Sequence, residues 1–311
     1  MNQYCDVVAV GHCCIDRLCV LEDFPTENGS KHILDYQEQP GGSACQSMVA
    51  LSRLGVKAGY MSPLGDDDVG KKLYQSALNE GVDMSCVRIE EGVSTHFTNV
   101  LINNKNQSRT FTSYHGKFED MVFGEKEEDY IANAKILHLD NTKSIDGIRA
   151  ADIAHKYHVK VSLDGSSLGD DHRLNIEIAK KADILVTAEK YPFHLTGREN
   201  LFEALTLLDR IFAPEVLITT LGEKGTAYFK DGQLSYYPAY KIKAKDTTGA
   251  GDTYHAAFLY AYLNKYPIDK AIDFASAAAA MNCLEIGGRA GIPHSPNEVF
   301  EFQKSHEHLL D

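Results

Sequence analysis

Hydrophobic positions along the chain fall into short β-branched runs separated by amphipathic stretches. "VVAVG" at 7–11 is apolar and closed by glycine, the pattern of a buried strand. In "ACQSMVALSRLG" at 44–55, Met48, Leu51 and Leu54 share one helical face and Gly55 supplies a stop. "KAGYMSPLG" then reads as a strand, and "DDVGKKLYQSALNEG" as a helix ending at Gly81. Four further apolar runs follow: "KILHLD" (135–140), "KVSLDG" (160–165), "DILVT" (183–187) and "VLITTLG" (216–222). Helical patterns lie between them, so the cadence predicts parallel strands joined by crossover helices.

Two segments break that cadence. Residues 16–42 and 94–116 alternate apolar and polar positions and carry polar turns, one around Asn103-Asn104-Lys105. They predict paired strands outside the main sheet, with lid strands from about 14–40 and 93–116. A small β excursion of this kind could cover a site at the carboxyl ends of the core strands. No internal repeat or Pro/Ser-rich linker divides the chain, which predicts one domain over 1–311.

Composition narrows the function classes. Of 311 residues, 43% are hydrophobic and 24% charged, enough apolar content for a sizeable core. A net charge of −13 argues against a nucleic-acid or anionic membrane surface. Seven cysteines without a C-x-x-C predict buried free thiols in a reducing cytoplasm. Thirteen histidines show no H-E-x-x-H or similar spacing, so no transition-metal site is read from the sequence. The N-terminus enters a strand pattern at once, without the regions of a signal peptide, and no apolar run reaches 18 residues.

The chemistry concentrates in "DTTGAGDTYHAAFLYAYL" at 246–263. Gly249, Ala250 and Gly251 open an apolar helix whose first amides have no intrahelical partner. Glycine there lets a ligand approach the backbone, and the helix terminus favours an anion, most naturally a phosphoryl group. Asp252 beside such a hole makes sense if it must touch a hydroxyl that attacks the phosphorus. The helix field is expected to keep Asp252 ionised and therefore a weak base, which a loose phosphoryl-transfer transition state tolerates. The plainer alternative is an acid in the first turn of a helix that follows a Gly-rich turn. Asp246, Thr247 and Thr248 add oxygen ligands just upstream, for a cation or a sugar.

"DTTGAGD" resembles the second signature of the ribokinase-like (PfkB) carbohydrate kinases, D-T-x-G-A-G-D. "GGSACQSMVALSRLG" at 41–55 is similar to the first, and "VGHCCID", "PLGDDDVG", "LTG", "TLGEKG" and "GGRAGIP" follow the family order over nearly the whole chain. The resemblance implies a doubly wound, mostly parallel α/β sheet with a small β-lid. It implies Asp252 as the base and Gly249, Ala250 and Gly251 as the anion hole. Sugar contacts would come from Asp16, Gly41, Gly42 and Gln46, and nucleotide contacts from Thr220, Gly222, Gly225 and Asn282. Asp246 and Thr248 would hold a monovalent cation such as K+, as in part of the family. ATP and Mg2+ are the implied cosubstrate and metal. Some members pair as homodimers through lid strands, and an exposed strand edge would favour that here.

Departures from the pattern matter. Gln46 stands where the first signature has Asn. At the N-x-x-E element, Ala188 replaces Asn and Tyr191 replaces the final Glu, leaving Glu189 as an outer-shell candidate for Mg2+. The ion would then be held mainly through water and nucleotide phosphates.

The substrate is a small-molecule sugar on this reading. Asp16, Gln46 and Asn141 suit a neutral ketose or furanose, whereas Arg109 or Lys143 would suit an anionic one. "PTENGSKH", "GDDDVG" and "GGRAGIP" look similar to the sulfofructose kinase branch, where an Arg binds the sulfonate; Lys143 falls nearby in this chain. Phe97, Phe111 and Tyr114 keep a nucleoside kinase open, and the altered N-x-x-E keeps open a sugar-binding regulator without catalysis. A nicotinamide dehydrogenase would need G-x-G-x-x-G after an early strand, which "VGHCCID" lacks.

Overall fold

The computed structural model describes residues 4–106, 108–140, 143–166, 168 and 171–309. Fourteen strands appear among them. They are β1 (Val7–Val10), β2 (Cys14–Leu21), β3 (Ile33–Gly41), β4 (Ala58–Tyr60), β5 (Leu64–Gly65), β6 (Ile89–Glu90) and β7 (Phe97–Asn103). The series continues with β8 (Arg109–Tyr114), β9 (Ile136–Asp140), β10 (Lys160–Gly165), β11 (Ile184–Ala188), β12 (Val216–Thr220), β13 (Thr226–Lys230) and β14 (Gln233–Tyr237).

Eight of these strands form the core sheet in the order β14-β13-β12-β11-β10-β9-β1-β4. The pairs from β12 to β4 are parallel, while β13 and β14 turn back antiparallel at one edge. Parallel strands covered on both faces are buried throughout, and β1, β9 and β10 accordingly expose almost nothing. Two apolar clusters lie on opposite faces. One gathers the Ser43–Arg53, Ala250–Leu263 and Ile268–Asn282 helices, and the other the helices that follow β9, β10 and β11. The Ala250–Leu263 helix is apolar almost all round because it is packed by both neighbours in the first cluster.

The two excursions meet as a separate four-stranded sheet, ordered β3-β2-β7-β8. Its central pair, β2 with β7, is parallel, so each excursion contributes one hairpin-like half. The expected single strand in "KAGYMSPLG" is instead divided into β4 and β5. Pro63 lies in the break, where it has no amide to give a ladder. Among the described residues no helix is long and apolar enough to cross a membrane. All seven cysteines are buried and free.

Candidate active site

The Ala250–Leu263 helix begins at Gly249, which sits at φ 72° in the left-handed region. A Cβ there would lie 2.6 Å from the Gly288 carbonyl oxygen, so glycine lets the 287–292 loop close on the helix start. Gly251 faces open space. Ala250 and Gly251 line a cavity of about 500 Å³ together with Thr220, Gly222 and Gly225. Gly222 and Gly225 both take positive φ, which produces the tight turn between β12 and β13. The sequence-predicted anion hole and nucleotide side thus share one cavity.

Asn282 lies beneath this cavity and is not among its lining residues. It is fully buried, and its Nδ2 donates to the Thr248 carbonyl at 2.7 Å. Its place is to pin the loop that presents the amides, which differs from the expected nucleotide contact.

Asp252 is half-buried in the first turn of the helix. Its backbone carbonyl accepts from Ser47 Oγ at 3.2 Å, tying it to the helix after Gly42. Burial pushes its carboxyl up to about 7, with Asp164, Asp140 and Asp16 adding to the rise and His255 opposing it. The expectation of an ionised, weak base is therefore corrected. Desolvation and neighbouring carboxylates outweigh the helix terminus, and the carboxyl is lifted toward neutrality.

Asp16 projects from β2, where burial lifts its carboxyl to about 6, against the lowering effects of a Cys14 hydrogen bond and the Arg289 charge. Gly41 pairs with Cys14 across the β2–β3 ladder and lies diagonally from Asp16, where a Cβ would overlap the Asp16 carboxylate. Gly42, at φ 93°, lets the chain pass the backbone of Cys13. Gln46 is buried; its Oε1 accepts from Arg289 Nε at 2.7 Å, while its Nε2 has no partner. Arg289 itself is buried and also donates to Ser76. The sequence singled out its loop but gave this arginine no role; an arginine inside a Gly-rich loop was the available signal.

The cationic candidates lie elsewhere than expected. Arg109, on lid strand β8, reaches the loop before the helix. Its Nη1 donates to Asp246 Oδ1 at 2.5 Å and to Thr248 Oγ1 at 2.7 Å, and its Nη2 donates to Thr247 Oγ1. Asp246 also accepts from Thr248 N and Gly287 N. Lys143 is engaged by Asp120 and Asp146, each at 3.2 Å, and by the Phe118 and Glu119 carbonyls. Asn141 lies outside the described residues. Glu189 is exposed on its side chain and paired with Lys224 at 3.0 Å. Asp140, at the end of β9, anchors the wall by accepting from His12 N, Ser43 Oγ and Ala44 N. Among the aromatics, Phe97 stacks on Tyr114 and carries Arg17 over its ring, while Phe111 is exposed.

A second set of residues was not read from the sequence. His255 Nε2 meets Asp164 Oδ1 at 3.2 Å, both buried behind Asp252. Burial opposes charge on both groups, but their mutual attraction wins: His255 is raised and Asp164 falls to about 2. Neighbouring His138 is pushed down to about 4 by burial and by His255. The signal available was a polar residue three positions after Asp252 in an otherwise apolar helix.

The comparisons agree with this architecture. The model of the pfkB family carbohydrate kinases matches residues 5–295. Over 275 residues the chain is 30% identical to the ribokinase of Haemophilus influenzae, covering 86% of this chain and 88% of that protein. It is 28% identical to the 5-dehydro-2-deoxygluconokinase of Bacillus subtilis, over 98% and 96% of the two chains. The structure of Arabidopsis thaliana ribokinase complexed with ribose and ATP superposes with a TM-score of 0.84 at 24% identity, covering 97% of this chain and 99% of that one. The chain therefore belongs to the pfkB family of carbohydrate kinases.

Proposed function

We propose that this protein transfers the γ-phosphoryl group of MgATP to a primary hydroxyl of a neutral sugar, a ketose or furanose. The observation that carries the reading is the position of Asp252. The amides just before it line the cavity with Thr220, Gly222 and Gly225, while its own charge is felt by Asp16 and Asp140 on the other side. A nucleotide on the first side and a polyol on the second would meet at this carboxylate.

Asp252 takes the proton of the sugar hydroxyl as the oxygen bonds to the γ-phosphorus and the bond to the ADP oxygen breaks. The Gly249–Gly251 amides hold the equatorial oxygens, where electrostatic positioning supplies most of the acceleration. Asp16 accepts from sugar hydroxyls, and the unpartnered Gln46 Nε2 donates to one. Neutral sugar is favoured because Lys143 and Arg109 already face carboxylates, which an anionic substrate would have to displace. Among the lid aromatics, Phe97 is already covered by Tyr114 and Arg17, which disfavours base stacking by a nucleoside.

Mg2+ neutralises the phosphate charge when it arrives with the nucleotide. Protein oxygens at the N-x-x-E position do not offer a cage for it, since Glu189 is held by Lys224, so water and nucleotide phosphates would supply its ligands. A monovalent cation does not fit the loop while Arg109 is there, because the guanidinium already supplies the positive charge on Asp246. Lid strands β3 and β8 are exposed edges carrying Ile33, Leu34, Tyr36 and Phe111, and we read them as the surface on which a second copy pairs.

An ATP-consumption screen over ribose, fructose, fructose phosphates, sulfofructose, tagatose phosphate and nucleosides tests the reading. Turnover with a neutral sugar at least about tenfold above all anionic ones and nucleosides is expected. Preference for a phosphate, sulfonate or nucleoside would refute the neutral-sugar assignment, and no turnover with any would refute the kinase reaction for these classes.

A further inference from the structure

Three imidazoles from distant parts of the chain meet where the lid leaves the core. His12 follows β1, His96 immediately precedes β7, and His115 immediately follows β8. One ligand atom from each lies within 4.8 Å of the others. The ring centroids are 5.0 Å (His12 to His96), 5.7 Å (His12 to His115) and 5.6 Å (His96 to His115) apart. A tetrahedral ion bound at N–metal distances of about 2.0–2.1 Å sets its imidazole centroids roughly 5 Å apart. The ring spacing is close to that, while the ligand nitrogens, now within 4.8 Å of one another, would have to close to about 3.3 Å to share one ion.

A second observation points the same way. His12 Nδ1 is buried and has no hydrogen-bond partner, a costly arrangement for a nitrogen with nothing to bind. All three rings line a cavity of about 190 Å³ that also touches Ser62 and Phe118. Lys143 is the cation nearest the group, and its charge is met by Asp120 and Asp146.

We propose that His12, His96 and His115 form a site for a divalent late transition-metal ion of the zinc or cobalt type, with its fourth position open to the cavity. Imidazole nitrogen suits such ions and not Mg2+, which prefers oxygen. Asp252 is not among the residues lining this cavity, although Asp140 is. Because His96 and His115 bracket the β7–β8 hairpin and His12 belongs to the core, the bound ion fastens both feet of that hairpin to β1.

Ligation has one structural requirement. Gly116 N now donates to His96 Nδ1 at 2.9 Å, which places the proton of the neutral ring on Nε2. Binding through Nε2 moves that proton to Nδ1 and turns the Gly116 amide away. Gly116 adjoins His115 in an irregular stretch, so seating His115 on the ion and releasing Gly116 are one movement.

The test is titration of the metal-free full chain with Co2+ in excess Mg2+, read by visible absorption and by hydrogen exchange of the lid. One equivalent should bind with the intense visible bands of a tetrahedral ion, without sulfur-to-metal absorption, and should slow exchange at 97–114. His115→Gln and His12→Gln should each weaken binding by at least about tenfold. Exposed His194→Gln should not, and thermal midpoints confirm that each variant is folded. Absence of saturable binding below about 1 mM, or undiminished affinity in folded His115→Gln, overturns the site. Sugar turnover is not part of the readout, so failure of the kinase reading leaves this result intact.

Discussion

Asp164 Oδ1 and His255 Nε2 lie 3.2 Å apart, both buried, one helical turn beyond Asp252. His255 also lowers the Asp252 carboxyl, opposing the rise that burial imposes there. On the proposed function, the pair would lower the pH at which Asp252 can accept a proton.

The pH dependence follows with a definite sign. Asp252 must be ionised to accept a proton, so kcat/KM should fall on the acid side through an apparent pKa of about 7. Removing the imidazolium in His255→Asn deletes the lowering influence, and the acidic limb should move to higher pH. Leaving Asp164 buried and unpaired should also destabilise the fold by about 3–5 kcal/mol. A pH–rate profile and a urea melt of this one variant check both effects.

Asp252→Asn should lower kcat by more than about 100-fold while leaving ATP and sugar affinities near their original values. Calorimetric binding alongside steady-state rates distinguishes loss of the base from loss of the site.

Gly41→Ala should act through its neighbour. Its methyl would occupy the place of the Asp16 carboxylate, so the KM for sugar should rise about tenfold or more with the KM for ATP little changed. Equal rises in both would mean a general distortion.

Arg109→Ala should free the lid from the nucleotide loop. With Asp246, Thr247 and Thr248 no longer bridged to β8, water gains access, and the ratio of ATP hydrolysis to sugar phosphorylation should rise several-fold. The same variant exposes the Asp246 carboxylate and should show greater K+ stimulation than the original protein. Parallel assays in K+ and Na+ read it.

Pairing through the lid is checked by sedimentation. The chain should run as a dimer, and Tyr36→Lys with Leu34→Lys on β3 should yield monomers.

Local structure was legible in the sequence. The start of the Ala250–Leu263 helix could be read because a left-handed glycine, a helix terminus and an acid occupy adjacent positions. The core strands were legible because both faces are buried and their runs are continuously apolar. What escaped depends on contacts between remote segments. Arg109 and Asp246 are 137 positions apart, and His255 and Asp164 are 91 apart by number. Nothing in local pattern distinguishes an arginine that latches a loop from one that awaits an anion. The charge state of Asp252 was misjudged for the same reason: the helix field is local and visible, whereas the surrounding carboxylates arrive from β2, β9 and β10.

The parallel pairing of β2 with β7 constrains how the chain assembles. These strands begin 83 positions apart, and a parallel pair cannot be nucleated by a tight turn. The intervening helices and β4 must dock first to bring the two partners into register, so ordering of the cover sheet comes late in folding. Nascent or partly denatured molecules would carry a formed nucleotide-side half and loose excursions, and limited proteolysis during refolding should cut at 22–32 and 104–108 before any core helix.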